Sequence, residues 1–311
     1  MGAQLRVYRR QIKSVQSTQK ITKAMELIAA SRIVKAQNRV NAARPYSTEL
    51  TRALAALGRN TALKDPLLTG AENPRRTAIL LITSDRGLAG GYSVNAIRRA
   101  NDLATELRAQ GREVARYVIG RKGVGYYRFR RIDVVDSWTG FSEQPNFLNA
   151  RGATDELVGA LSATSEGEHD GHPGVDELYV VYTTFESMIT QTPVAELVAP
   201  VSQAEIEDPD AQTESDGPKP AYDFEPESEA LLRTLLPRYI SARIFSALLE
   251  SAASESAARR RAMKSASDNA SELIGTYTRL ANQARQAEIT QEISEIVGGA
   301  DALAAAGSEI T

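Results

Sequence analysis

The sequence predicts an α/β protein in which long N- and C-terminal helices form an antiparallel two-helix coiled coil and bracket a central Rossmann-like α/β domain. Three observations carry this prediction. All 12 prolines fall between Pro45 and Pro237, glycine is absent from Ala3 to Leu57, and Gly275 is the single glycine from Arg238 to Val297. Both ends are thus nearly free of the residues that break helices. Apolar residues recur there at three- and four-residue spacing, the period of a helix face. Between the ends, short apolar runs alternate with amphipathic stretches, as strands alternate with helices in a parallel α/β layer.

Residues 1–60 read as the first helix, with Ile12, Val15, Ile21, Met25 and Ile28 as a narrow apolar stripe. Residues 231–311 read as the last, with Ile289, Ile293, Ile296 and Val297 repeating that stripe. At about 1.5 Å per residue, a helix over Arg6 to Leu57 reaches roughly 75 Å and one over Leu231 to Leu303 roughly 105 Å. Neither fits inside a compact globule of 311 residues. Helices of that length need a partner along their whole course, and each end supplies one for the other. A helical bundle is the alternative arrangement.

Residues 75–200 read as the α/β domain. Thr77-Ala-Ile-Leu-Leu-Ile-Thr83 has the character of a buried parallel strand, Tyr92 to Gln110 of a helix, and Val114 to Ile119 of the next strand. A helix around Phe147 to Leu161 and a strand from Glu177 to Phe185 continue the alternation. The polar stretch 165–174 is expected as an exposed inserted loop preceding an edge strand, and 201–230 as an acidic linker.

Composition narrows the function. Apolar residues make up 42% and aromatics 6%, with a single Trp and abundant alanine, which excludes a wholly disordered chain and disfavours an aromatic-packed sandwich. With no cysteine there is no disulfide framework, thiolate nucleophile or thiolate-bound metal. No apolar run approaches the roughly 18 to 20 residues of a membrane span. The N-terminus, Met1-Gly-Ala-Gln-Leu-Arg6, lacks the apolar stretch of a signal peptide, so a cytoplasmic address is expected. Net charge is −2, but residues 1–60 hold 12 Lys and Arg against Glu26 and Glu49, while 201–230 hold ten acids against Lys219. The basic arm is either a solvated helix face or a surface for an acidic or phosphate-bearing partner.

The motifs offer little chemistry. Ser84-Asp-Arg-Gly-Leu-Ala-Gly-Gly-Tyr92 sits between a strand and a helix, where a phosphate loop would be, but Gly87, Gly90 and Gly91 fit neither G-x-G-x-x-G nor a P-loop. A tight turn accounts for them. His169 and His172 lie in a polar tract and are read as solvated rather than metal-binding. No catalytic residue, cofactor or metal is expected.

At the chain ends the residues resemble a known family. Gln19-Lys-Ile-Thr-Lys-Ala-Met25 with Ala29-Ala-Ser-Arg-Ile33 is similar to the N-terminal signature of the γ subunits of F-type ATP synthases. Arg285-Gln-Ala-Glu-Ile-Thr-Gln-Glu-Ile293 with Glu295-Ile-Val-Gly-Gly-Ala300 resembles the C-terminal one, Ser254-Glu-Ser-Ala-Ala-Arg259 with Ala262-Met263 the stretch before it, and Ser84-Asp-Arg-Gly-Leu88 the central one. The likeness covers nearly the whole chain and points to the bacterial, actinobacterial type.

That resemblance implies a central rotor shaft inside a ring of three α and three β subunits, its foot resting with ε on the membrane-embedded c-ring. It also implies one copy per complex, at the cytoplasmic face of the cell membrane, with proton flow driving ATP synthesis at sites on β. It carries Lys20, Lys23, Met25, Arg259, Gln286 and Thr290 to the contact with the α/β sleeve, and Tyr222, Phe224 and Glu225 to the contact with ε and the c-ring. Ala89 stands where many members carry cysteine, and Arg259-Arg-Arg261 is more basic than usual. The 165–174 insertion is expected to touch the c-ring or ε and to bias rotation against ATP hydrolysis. Two rival classes, a coiled-coil nucleic-acid-binding protein and a nucleotide-dependent oxidoreductase, lack respectively an aromatic-studded binding face and a dinucleotide glycine spacing.

Overall fold

The elements follow one another as α1 (Gly2–Gly58), α2 (Pro66–Thr69), β1 (Arg76–Ile82), α3 (Tyr92–Ala109), β2 (Glu113–Ile119), α4 (Arg121–Arg130) and β3 (Asp136–Trp138). Then come α5 (Phe147–Ala163), β4 (Glu168–His169), β5 (His172–Pro173), β6 (Glu177–Phe185), β7 (Gln191–Ala199) and α6 (Ser228–Ser308). The structure is a computed structural model that describes residues 2–58, 66–201 and 228–308. Apart from Val201 and the first turn of α6, the acidic linker expected over 201–230 lies outside the described residues. The chain divides into a helical unit within residues 1–28 and 261–311 and an α/β unit of residues 29–260, so the division falls inside both long helices.

In the α/β unit the five-stranded sheet has the order β3-β2-β1-β6-β7. β1 pairs in parallel with β2, from Arg76 opposite Glu113 to Ile82 opposite Ile119, and on its other side with β6. Because side chains alternate along a strand, β1 serves two cores. Ala78, Leu80 and Ile82 join Tyr117 and Val180 in a core with Leu157 of α5, Leu50, Leu54 and Leu57 of α1, and Leu236, Ile240 and Ile244 of α6. Ile79 and Leu81 face the other way, onto Ala96, Ala100, Leu103 and Leu107 of α3 and Tyr127 of α4. Each fully buried aliphatic side chain contributes about 1.5–3 kcal/mol. That offsets the roughly 3 kcal/mol of a proline inside a helix, so α1 runs on through Pro45 and α6 through Pro237.

Three expectations are corrected in this unit. The sheet is mixed, because β7 runs antiparallel to β6. Its Pro193 disguises it as a loop in the sequence and is tolerated because β7 lies at the sheet edge. β6 is accordingly an inner strand between β1 and β7, not an edge. The stretch 165–174 is not a free loop: β4 and β5 form a small antiparallel hairpin closed by Asp170 and Gly171, both at positive φ (47° and 78°), as a two-residue turn requires. The hairpin is tied to α5 by His169 Nε2, 3.2 Å from Glu156 Oε2. At its base Asp176 accepts the backbone N–H groups of Arg75, Arg76 and Ser165 at 2.8–3.2 Å. These hydrogen bonds outweigh partial burial and hold the Asp176 carboxyl below its ordinary pKa.

In the helical unit Tyr8, Ile12, Val15, Gln19, Thr22 and Glu26 of α1 are buried or half-buried, alternating four and three residues apart, with Leu5, Gln11 and Met25 half-buried beside them. Met263, Ser267, Ala270, Ile274, Tyr277, Ala281, Ala284 and Glu288 of α6 alternate in the same way. This is the 3.5-residue period of a left-handed coiled coil. Gln19 Nε2 donates to Ser271 Oγ at 2.6 Å, which sets an antiparallel register in which paired positions sum to about 290.

The seam differs from the apolar stripe read in the sequence. Ile21 and Ile28 are exposed, while Thr22 and Glu26 are 8% exposed, with Glu26 held by Lys23 at 3.0 Å. Ile289, Ile293, Ile296 and Val297 are also exposed (46–71%). With that register, residue 288 of α6 stands level with the first turn of α1, and beyond it α6 has no pairing partner among the described residues. A seam with polar members is less stable than an all-leucine one and fixes register.

Candidate functional site

The turn of α6 from Ser251 to Arg259 is buried on every side, although it carries a glutamate, an arginine and three serines. Its small residues make this possible: serine and alanine let three other segments approach its backbone closely. The first is the loop after β1. There Asp85 accepts the backbone N–H groups of Arg121 (3.1 Å), Gly140 (2.8 Å) and Ser142 (2.9 Å), while its own N–H donates to Ser142 Oγ (2.8 Å). Burial acts to raise the Asp85 pKa, but the hydrogen bonds to Ser142, Gly140 and Arg121 outweigh it and hold the carboxyl below its ordinary value. Asp85 thereby fastens the loop after β1 to the loop after β3 and sets Arg86 beside Glu143. Ala89 and Tyr92 pack on Ala258 of the same α6 turn.

Five charged groups meet at this point. Arg259 Nη2 donates to Glu255 Oε1 at 2.8 Å and to the carbonyl oxygens of Arg86 and Gly87 at 3.3 and 3.4 Å. Its Nη1 lies 3.2 Å from Glu143 Oε1. Arg32 of α1 forms an ion pair with Glu143, and Arg86 reaches the same carboxylate at 3.6 Å. Three guanidiniums thus surround two carboxylates contributed by four separate segments. The side chain of Glu255 has no exposure and that of Arg259 6%. Burial pushes the Glu255 carboxyl above its ordinary range, and Arg259 opposes that shift. A polar cleft of about 410 Å³ opens beside the cluster, lined by Arg32, Asp85, Arg86, Gly140, Glu143 and Asn149.

Of these residues only Arg259 was singled out from the sequence, and as a surface contact. The structure turns it inward, at 5% exposure. Glu255 had a local signal, an acid four residues before an arginine in a run of small residues, the spacing of an intrahelical ion pair. Arg32 and Glu143 are 111 positions apart, and only the fold brings them together.

The remaining expected sleeve residues lie in the helical unit. Lys20 and Lys23 are exposed on α1, and Met25 is half-buried beside the seam. Gln286 and Thr290 are exposed one turn apart on α6, with Thr290 Oγ1 donating to the Gln286 carbonyl at 2.9 Å. Tyr222, Phe224 and Glu225 lie outside the described residues. The two histidines do not converge on one site: His169 sits by Glu156 and Asp170, which could offer one ligand atom each, while His172 is exposed. Among the described residues no helix is long and apolar enough to cross a membrane.

A two-helix seam in one unit, and in the other a mixed sheet to which stretches of the same two long helices are pinned by a buried ion cluster, define a stalk-type protein. The comparisons with known proteins agree. The family model described as ATP synthase matches residues 4–303. An ATP synthase gamma chain from Acidothermus cellulolyticus is 58% identical over 309 residues, covering 99% of this chain and all of the relative. One from Salinispora tropica is 58% identical over the whole of both chains, and one from Streptomyces avermitilis 55% identical over 99% of this chain and all of its own. The chain belongs to the ATP synthase gamma chain family.

Among solved structures, a chain of the Euglena gracilis mitochondrial ATP synthase (OSCP/F1/c-ring, rotational state 3) has a TM-score of 0.67 at 17% identity, covering 97% of this chain and 95% of its own. A chain of the Tetrahymena thermophila central stalk and c-ring has a TM-score of 0.56 at 22% identity, covering 79% and 99%. Both share the fold.

Proposed function

We propose that the chain is the central rotor shaft of a proton-translocating F-type ATP synthase, turned by the c-ring and acting in turn on the catalytic sites of the three β subunits. The observation that carries this reading is the end-to-end relationship to bacterial gamma chains. In this reading the chain supplies no catalytic group of its own, and the role of the buried cluster is to hold the elements that meet there. Torque applied to the α/β unit reaches the helices only if their roots resist turning. A cluster that joins α1, α6 and the loops after β1 and β3 gives that resistance through several charge-assisted contacts at once.

In this reading Lys20, Lys23, Met25, Gln286 and Thr290 meet the α and β subunits, the two lysines facing acidic loops. Arg259 acts from inside, as a positioning residue. Tyr222, Phe224 and Glu225 meet ε and the c-ring, which places the chain peripherally at the cytoplasmic face of the cell membrane, one copy per complex.

The test is recovery of the affinity-tagged chain from gently solubilised membranes of its own organism. Co-purification of α, β, ε and c subunits with ATP hydrolysis is expected; the chain alone, or bound to nucleic acid, overturns the reading. The hairpin makes a second prediction. Deleting Glu166 to Pro173 in the assembled enzyme is expected to raise ATP hydrolysis relative to synthesis by about fivefold or more, the lower end of typical coupling free energies. Equal hydrolysis and proton pumping in both forms removes the hairpin from regulation.

A further inference from the structure

The segment from Arg121 to Arg131, which is α4 and the residue that ends it, holds Arg121, Lys122, Arg128, Arg130 and Arg131, all exposed, and no acid. None of the five is ion-paired with a carboxylate among the described residues. Elsewhere in the same unit Arg76, Arg99, Arg112, Arg151 and Arg243 each hold one, while Arg75, Arg98 and Arg108 hold none among the described residues, so what sets α4 apart is five such cations within eleven residues. Amid these cations stands Phe129, at 84% the most exposed large apolar side chain among the described residues.

Helix electrostatics do not account for the arrangement. Arg128 and Arg130 suit the negative C-terminal end of α4, but Arg121 and Lys122 occupy its first turn, where cations are disfavoured. Arg121 and Arg128 are seven residues apart, as are Lys122 and Phe129, so both ends contribute to one side of the helix. The inward side is already used, by Gly123 and Tyr127.

We infer that this face of α4 docks an acidic segment of another polypeptide, with Phe129 seated in an apolar pocket of that partner and the arginines on the surrounding carboxylates. The inference rests on the reading of the chain as a subunit of an assembly. The composition favours a protein over a lipid surface. Four of the five cations are arginine, whose planar fork matches carboxylates in pairs. An exposed aromatic with Arg121, Lys122 and Arg128 on its side of the helix, while Arg130 lies over the Tyr126 ring, is the anchor-and-rim pattern of a protein interface. Membrane-lying helices instead present a continuous apolar face, and here the rest of that face is spent on the sheet.

The test places a photo-crosslinking amino acid at position 129, and separately at 128, in the full chain within the purified complex. Adducts are mapped after irradiation, with and without Arg130→Glu/Arg131→Glu, to which Arg128→Glu is added when the probe stands at 129. One dominant adduct to an Asp- and Glu-rich segment of another subunit is expected at both positions. Its yield should fall about tenfold, the equivalent of one decade of affinity, when the charges are reversed. Adducts to lipid, to the chain's own acidic stretch 201–230, to a segment without acidic excess, or none in a complex that co-purifies with ATP hydrolysis, overturn the inference. Sedimentation of the full chain with phosphatidylglycerol vesicles, dependent on the same arginines, assigns the face to lipid instead. Failure of the complex to co-purify at all counts against the assembly reading itself, and the inference falls with it.

Discussion

Replacing Arg259 with leucine is expected to destabilise the α/β unit by about 3–5 kcal/mol at pH 8 and by distinctly less near pH 5. The substitution leaves Glu255, whose side chain has no exposure, without its cation at 2.8 Å. Burial already raises the Glu255 pKa above its ordinary 4.5 in the folded chain. Between that ordinary value and the raised one the folded chain binds the extra proton. The stability this confers is therefore complete below the unfolded pKa and is lost as pH rises through the folded one. Arg259 limits the shift, so removing it moves the folded pKa further up and deepens the loss on the alkaline side.

Urea unfolding followed by Trp138 fluorescence reads this directly. Trp138 is the only tryptophan and stacks on Tyr117 within the sheet, ring centroids 6.3 Å apart. Adding Glu255→Gln to Arg259→Leu should restore much of the loss at pH 8, because an amide carries no charge to strand. A loss that does not vary with pH, or that glutamine fails to relieve, shows that Arg259 acts by packing alone.

The second large effect is expected at Gly120. Its φ is +100°, and a Cβ built there falls 2.1 Å from the Thr83 carbonyl oxygen. Thr83 cannot withdraw, because its N–H donates to the Ile119 carbonyl at 2.8 Å and its Oγ1 accepts the Gly123 N–H at 2.9 Å. Gly120→Ala therefore has to part the end of β1 from the start of α4, and about 3–4 kcal/mol is the expected loss. For a unit of this size that lowers Tm by roughly 10 °C. Gly125→Ala in the same helix is the control: nothing lies within 4 Å of its added methyl, and it should be neutral or slightly stabilising. Equal Tm values for the two variants would mean that the close approach at Thr83 relaxes freely.

The sequence made the long helices legible because helix breakers are confined to the middle of the chain, and it made β1, β2 and β6 legible because their apolar runs are bounded by turns. α4 escaped notice because it buries only Gly123 and Tyr127 and so shows no apolar period. β7 was hidden by Pro193, and the hairpin by its brevity, although Asp170-Gly171 is a recognisable turn pair. The coiled-coil seam was misplaced by apolarity itself. Ile12 and Val15 of the apolar stripe do lie in the seam and Met25 beside it, but Ile21 and Ile28 face outward, and the inward positions there are Thr22 and Glu26, so a search for greasy residues alone drifts off the seam. For the ion cluster, only the Glu255–Arg259 spacing was local; the rest depends on loops that meet across the sheet.

The antiparallel register also has a mechanical consequence. Where α1 and α6 run side by side they form a two-stranded rod. Beyond about residue 288, α6 continues to Ser308 as a single helix. Bending stiffness rises steeply with cross-section, so the unpaired tip is the compliant part and the paired region the rigid part. A sideways displacement of the tip is therefore taken up as elastic flexure largely within the last score of residues of α6.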